Sequence, residues 1–203
     1  MTAHSSFLIL HGIANHRPPE HWQFRLAARL KERGHQVLYP ALPDPDAPSP
    51  ALWARCLHQG LGELEGAERV VVCHSLACLL WFREAAAVAA PVDRLLLVAP
   101  PASRCVPDPG AEFRIERFDA GAVCASVRGE IRMVCSDADP YNPEGAQAMY
   151  ADALGITADI LPGAGHITPD SGYGPWPFAE EWCAQPEPAA GLTRPAGCRT
   201  PRR

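Results

Sequence analysis

The chain has 203 residues, a formal net charge of −5 and 47% hydrophobic residues, which fits one domain with a single buried core. The only basic block is the short run from Arg199 to Arg203, so no nucleic-acid-binding face is predicted. No apolar run reaches the roughly 18 residues of a membrane span, and the amino terminus lacks the charged segment of a signal peptide. We therefore expect a cytoplasmic protein with neither nucleic acid nor membrane as a partner; the sequence does not indicate an oligomeric state.

Apolar β-branched runs alternate with helix-like apolar patterns along the chain. Strands are predicted at about 6–11, 35–39, 69–74, 94–99, 131–136 and 157–161. Helices are predicted at about 20–33, 50–65, 76–89 and 143–154, with a last one near 177–184. Strands that alternate with helices indicate a parallel sheet, and right-handed crossovers restrict its winding. The strand order 2-1-3-4-5-6 would place a ligand-binding switch point between strands 1 and 3.

The predicted fold is therefore α/β: a single-domain, three-layer sandwich with about six mostly parallel strands. Residues 1–185 form this domain. Residues 186–203 are rich in proline, alanine and glycine and have no periodicity, so we expect a disordered tail there.

The third predicted strand ends at a serine that is followed at once by a helical pattern. The run Val70–Ala77 joins an apolar strand to Ser75 and then to a helix that begins at Leu76. This is the context of a nucleophile elbow, whose usual form is G-x-S-x-G. Here Cys73 and Ala77 stand at the glycine positions. Alone, the motif leaves open a serine that simply ends a strand.

An acid and a base follow this serine, each on a turn after a later strand. Asp137 and Asp139 lie on the turn after the fifth strand, and His166 ends a glycine-rich loop after the sixth. Serine, acid and histidine occur in this order in enzymes that carry the elbow. Parallel strands direct all three turns to the same edge of the sheet, where open α/β sheets bind ligands. The three residue types therefore predict a catalytic triad.

Each residue type has a chemical reason to be present. A serine hydroxyl needs an adjacent base, and histidine, with an ordinary pKa of about 6.5, is mostly neutral near neutral pH. A carboxylate fixes the histidine tautomer. Backbone N–H groups must stabilise the developing oxyanion. Leu76, next to the serine, is one predicted donor, and Ile13, after the first strand, is the other, with Ala14 as its alternative.

The combined pattern resembles the compact serine-hydrolase family of α/β-hydrolases that includes the retinoblastoma-binding-protein-9-like proteins and small bacterial relatives. The resemblance covers roughly residues 5–184. The matching pieces are His11-Gly12, His21-Trp22, the elbow at 73–77, the turn at 136–141, and the closing piece at 165–168 and 171–177. In the family pattern the acid precedes a proline, which implies Asp139 rather than Asp137. The resemblance implies an α/β-hydrolase fold, and Ala77 departs from the glycine that is commoner in it.

The predicted function is a serine hydrolase of the carboxylesterase type, which cleaves a small ester or related acyl substrate through Ser75, Asp139 and His166. A catalytically silent protein- or ligand-binding module on the same fold is the alternative. Residues 100–130 have no long helical pattern, so no large lid is expected. His11, Trp22 and Trp176 are the pocket candidates because they flank the predicted site loops. No cofactor or metal is expected, since no histidines or cysteines have zinc-ligand spacing.

Overall fold

The sheet of the computed structural model, which describes residues 4–185, contains six strands. They are β1 (Ser5–Leu10), β2 (Gln36–Leu38), β3 (Glu68–His74), β4 (Arg94–Val98), β5 (Ile131–Ser136) and β6 (Asp159–Leu161). Their order is β2-β1-β3-β4-β5-β6, and every neighbouring pair is parallel. The predicted fold class and strand order are confirmed. The predicted tail at 186–203 lies outside the described residues.

Within residues 4–185, six α-helices connect and flank the strands. They are α1 (Trp22–Glu32), α2 (Pro50–Glu63), α3 (Leu76–Glu84), α4 (Ala120–Ala125), α5 (Asp152–Leu154) and α6 (Pro177–Ala184). The helix predicted at 143–154 is shorter, because Gly145 adopts a φ of 83°, which a right-handed helix excludes. It begins instead as a π-helical turn at Gln147–Ala151 that leads into α5. The helix α4 was not predicted, since its small residues give no apolar period.

The core has two layers, one on each face of the sheet. Alternate residues of one strand serve opposite layers, as Leu8 and Phe7 of β1 do. One layer packs against α2, α3 and α4, with Trp53 fully buried in it. The other packs against α1 and α6 and holds Trp22 and Trp182. The arrangement is the predicted three-layer sandwich. Within residues 4–185, no helix has the length and apolarity needed to span a membrane.

The central strands bring two loops together at the carboxyl edge of the sheet. Leu10 of β1 lies in register with Cys73 of β3, and His74 lies in register with Val98 of β4. The loop that contains Gly12 therefore leaves the sheet beside the turn that contains Ser75. This places the predicted oxyanion loop and elbow at one switch point.

Candidate active site

Ser75 lies on a strained turn between β3 and α3. Its φ of 56° and ψ of −123° lie in a region that residues with a Cβ rarely adopt. The turn is held by a backbone hydrogen bond of 2.9 Å from the Ser75 N–H to the Val98 carbonyl of the neighbouring strand. The two non-glycine elbow residues, Cys73 and Ala77, are fully buried beside it. The local geometry is that of a nucleophile elbow, which directs the hydroxyl away from the sheet.

Gly12 packs directly against the serine. A Cβ at this position would lie 2.7 Å from the Ser75 Cβ and 3.0 Å from its Oγ, closer than such atoms approach in proteins. Glycine is therefore required because the loop after β1 must pass against the serine side chain. This contact keeps the neighbouring residue, Ile13, at the edge of the site.

A continuous chain of hydrogen bonds joins the three predicted triad residues. The Nε2 atom of His166 lies 2.8 Å from the Oγ atom of Ser75. On the other side of the ring, Nδ1 lies 3.0 Å from Oδ1 and 2.9 Å from Oδ2 of Asp139. Since a carboxylate can only accept, Nδ1 carries the hydrogen and Nε2 is free to accept one from the serine. Ser75 and Asp139 are 5% and 2% exposed, and the bond between Asp139 and the imidazole is shielded from water.

The two carboxylates of the turn after β5 have different partners. Asp139 is buried, bonds to His166 and accepts a further hydrogen bond of 2.9 Å from the Tyr141 N–H. Asp137 is exposed and accepts a hydrogen bond of 2.7 Å from the Gly163 N–H. The structure therefore brings Asp139, and not Asp137, to the imidazole.

Two residues that line the cleft with Ser75 have backbone N–H groups without an acceptor. The N–H groups of Ile13 and Leu76 donate to no acceptor among residues 4–185. The N–H of Ala14, the alternative donor, is already bonded to the Pro45 carbonyl at 2.8 Å. Of the two candidates after β1, only Ile13 is free to bind an oxyanion. Leu76 opens α3, where an N–H at the first turn has no partner within the helix.

His11 and His21 lie close to the site but are occupied with the backbone. His11 is 1% exposed; its Nδ1–H donates to the Gly12 carbonyl at 2.9 Å, and its Nε2 accepts from the Leu42 N–H at 3.0 Å. His21 caps α1 by accepting from the Gln23 N–H at 3.2 Å. Burial lowers the pKa of each ring to about 4, so both are neutral near neutral pH.

The three residues expected to line the pocket are packed beneath it instead. His11 shapes its own loop, as its two backbone bonds indicate. Trp22 is 1% exposed and packs edge-on against Trp176, with 4.8 Å between ring centroids. None of the three lines the cleft. The expectation is corrected: position next to a site loop did not fix the direction of these side chains, and the large apolar surfaces of the two tryptophans are buried in the core.

An open cleft of about 830 Å³ lies above the serine and the imidazole. One wall comes from the segment after β4 and contains Pro101, Val106, Pro107 and Pro109. Tyr141 stands at the mouth, 38% exposed, with its ring centroid 4.6 Å from that of His166. The proline-rich wall was missed from the sequence, because its short 3₁₀ turns have no apolar period that would mark them.

The described part of the chain contains no group of three or more histidine, cysteine or acidic side chains arranged to hold a metal ion. The cleft brings together the Ser75 hydroxyl, the His166 imidazole, the buried Asp139 carboxylate and two backbone N–H groups without an acceptor. This set is suited to acyl transfer through a covalent intermediate.

Comparisons with known proteins identify the family and the fold of the chain. A family model described as serine hydrolase matches residues 7–185. No curated protein matches the chain significantly. The ydeN gene product of B. subtilis has a similar structure, with a TM-score of 0.75 and 21% identity, over 88% of this chain and 96% of its own.

Two further solved structures have the same fold. A YdeN-like hydrolase from Pectobacterium atrosepticum has a TM-score of 0.69 and 20% identity, over 89% of each chain. The esterase domain of a Rhodothermus marinus protein has a TM-score of 0.64 and 16% identity, over 90% of this chain and 87% of its own. At these identities the three structures establish the fold that is shared, and the family match establishes the family.

Proposed function

The chain belongs to the serine hydrolase family, and from this premise we propose that it is a carboxylesterase-like enzyme that cleaves a small ester or related acyl substrate. The observation that carries the proposal is the unbroken hydrogen-bond chain from Ser75 Oγ through the His166 imidazole to Asp139. A surface serine without a catalytic role needs neither the strained elbow nor a base at 2.8 Å.

In the first step Ser75 attacks the substrate carbonyl. Nε2 of His166 takes the hydroxyl proton while Oγ forms a bond to the carbonyl carbon, and the C=O electron pair moves to the oxygen. The N–H groups of Ile13 and Leu76 donate to this oxyanion. Asp139 accepts from Nδ1–H and stabilises the positive charge on the imidazolium.

The intermediate then collapses in the direction of products. The carbonyl re-forms, the bond to the leaving alkoxide breaks, and the imidazolium returns its proton to the leaving oxygen. An acyl group is left on Ser75. Water attacks this ester, with His166 again as the base, and the second collapse releases a carboxylic acid and restores the Ser75 hydroxyl.

The lining of the cleft is an argument for substrates with small or accessible acyl groups. Its wall of Pro101, Val106, Pro107 and Pro109 offers an apolar surface beside the serine. Prolines have fixed backbone angles, so this wall is stiff and its shape limits what can lie against it. An esterase domain from Rhodothermus marinus and a thioesterase domain share this fold, which is compatible with an ester or related acyl substrate.

The test is covalent labelling with a fluorophosphonate, followed by mass spectrometry of the labelled peptide. Wild type is expected to carry one adduct on Ser75 and to hydrolyse p-nitrophenyl acetate and butyrate, whereas Ser75→Ala should do neither. An adduct on another residue would reject the assignment of the nucleophile. If folded wild type takes no label and hydrolyses neither ester, the proposal of an enzyme is wrong, and a binding module on the same fold becomes the better hypothesis.

A further inference from the structure

The main chain at Ile167, the residue after His166, has an unfavourable conformation. Ile167 is fully buried and has a φ of 53°. A β-branched residue in this left-handed region is strained, and such a conformation persists only where surrounding contacts impose it. The strained residue directly follows the histidine whose ring must lie between Ser75 and Asp139. Whatever holds this turn also sets the position of the imidazole.

Two buried side chains from other elements donate to consecutive carbonyls of this turn. Nε2 of His74 lies 3.0 Å from the His166 carbonyl oxygen, and Nε1 of Trp22 lies 3.0 Å from that of Ile167. A carbonyl can only accept, so the His74 ring is protonated at Nε2. Burial lowers the pKa of His74 well below its ordinary value, so the ring is a neutral donor at this atom.

These donors are themselves held in place. His74 is 3% exposed and Trp22 is 1% exposed, and their rings pack edge-to-face with 5.6 Å between centroids. Trp176 also packs against the indole of Trp22. Neither donor can swing away without opening the core layer between α1 and the sheet.

We propose that His74 and Trp22 are positioning residues, which hold the strained turn at 166–167 and so place the His166 imidazole between Ser75 and Asp139. His74 directly precedes Ser75 at the end of β3, so one strand end presents both the serine hydroxyl and the donor that fixes its base. A shift of β3 would move both groups together, which preserves their spacing. The inference rests on the proposed function for its catalytic consequence, but the positioning itself can be tested without catalysis.

The first test compares two amide substitutions at His74. The amide nitrogen of Gln reaches about as far as Nε2, whereas that of Asn ends near the position of Nδ1 and cannot reach the His166 carbonyl. With p-nitrophenyl butyrate, His74→Asn should lower kcat roughly 10- to 100-fold with little change in KM, because the imidazole is misplaced. His74→Gln should retain most of the wild-type kcat. Equal kcat values for the two variants, whether both high or both low, would overturn the role of the donor.

The second test observes the imidazole directly. The Nδ1–H proton of His166, which bonds to Asp139, should give a far-downfield NMR signal in protein with ¹⁵N-labelled histidine. This signal should shift or broaden in His74→Asn and in Trp22→Phe, which removes the indole donor together with part of the buried ring, and stay unchanged in His74→Gln. An unchanged signal in His74→Asn or, if that variant does not fold, in Trp22→Phe would overturn the proposal. If wild type proves inactive, the proposed function fails, while the NMR comparison still decides whether the turn is held in this way.

Discussion

Two carboxylates lie on the turn after β5, and their hydrogen-bond partners differ. Asp139 bonds to the imidazole of His166, whereas Asp137 accepts from the Gly163 N–H. Asp139→Asn should lower kcat by about 10⁴-fold, because an amide can donate to Nδ1 and thereby favour the wrong tautomer. Asp137→Asn is the matched control and should retain activity. Steady-state hydrolysis of p-nitrophenyl butyrate measures both, and a larger loss in Asp137→Asn would show that the acid is misassigned.

Gly12 gives a second prediction at the scale of a single residue. Gly12→Ala should lower kcat strongly, since its Cβ would lie 2.7 Å from the Ser75 Cβ and must displace the serine or the loop of Ile13. Gly62→Ala is the control: it lies in α2 with no atom within 4 Å of an added Cβ, and alanine there should stabilise the fold by about 0.5–1 kcal/mol. Ester hydrolysis and urea unfolding measure the two effects. Normal activity in Gly12→Ala would show that the close approach is not needed.

The proposed triad and the two backbone donors could be predicted from sequence, while the directions of the side chains packed beneath them could not. Ser75, Asp139 and His166 each follow a strand that is recognisable by its apolar run, so the topology brings them to one edge. The directions of Trp22 and Trp176 depend on how α1 and α6 pack, which involves contacts between residues far apart in the chain. For the same reason, the donor role of His74 toward the His166 carbonyl had no signal in the sequence.

At the scale of elements, α3 begins directly after the serine and has alanine where a glycine is commoner in this elbow motif. Ala77→Gly should destabilise the protein by about 1–2 kcal/mol, because glycine disfavours a helix and the methyl group is fully buried. Hydrolysis should be retained or improved, since the methyl group takes no part in the proposed reaction. Urea unfolding and kcat/KM measure the two effects separately. A folded variant without activity would show that the elbow depends on this methyl group.

The segment between β4 and β5 marks the limit of prediction from patterns. The strands on either side were predicted within a residue or two, because each is a short, continuous apolar run. The wall between them consists of 3₁₀ turns at Ser103–Cys105 and Asp108–Phe113, followed by the short α4. Such turns are shaped by prolines and by contacts with the rest of the fold. Their place at the cleft therefore became visible only in the structure.

At the scale of the whole molecule, the sheet order was predictable because few topologies satisfy alternating strands and helices with right-handed crossovers. Placing β1 beside β3 brings the Gly12 loop against the elbow, and placing β5 and β6 next in order brings the acid and base turns to the same edge. The burial of three histidines around this edge was not predictable. It has a consequence for the stability of the whole fold.

His11, His21 and His74 should make the folded protein sensitive to mild acid. Burial lowers the pKa of His11 and His21 to about 4 and that of His74 well below its ordinary value, whereas in the unfolded chain each is about 6.5. Between these values the unfolded state binds more protons than the folded state, so the free energy of unfolding rises with pH. The stability that these rings contribute by staying neutral is therefore fully present above about pH 6.5. It is lost as the pH falls toward about 4.

Urea unfolding should be measured from about pH 7.5 to 5.5. Below the unfolded pKa of about 6.5, the free energy of unfolding should decrease by on the order of 1 kcal/mol per pH unit for each buried histidine. His21→Asn should weaken this dependence, since asparagine caps a helix well and cannot take up the proton. His16→Asn is the matched control, since it removes a histidine whose side chain is 63% exposed, and it should change the slope less than His21→Asn does. An unchanged slope in His21→Asn would show that protonation of this ring does not limit stability in acid, and that the decrease comes from other groups.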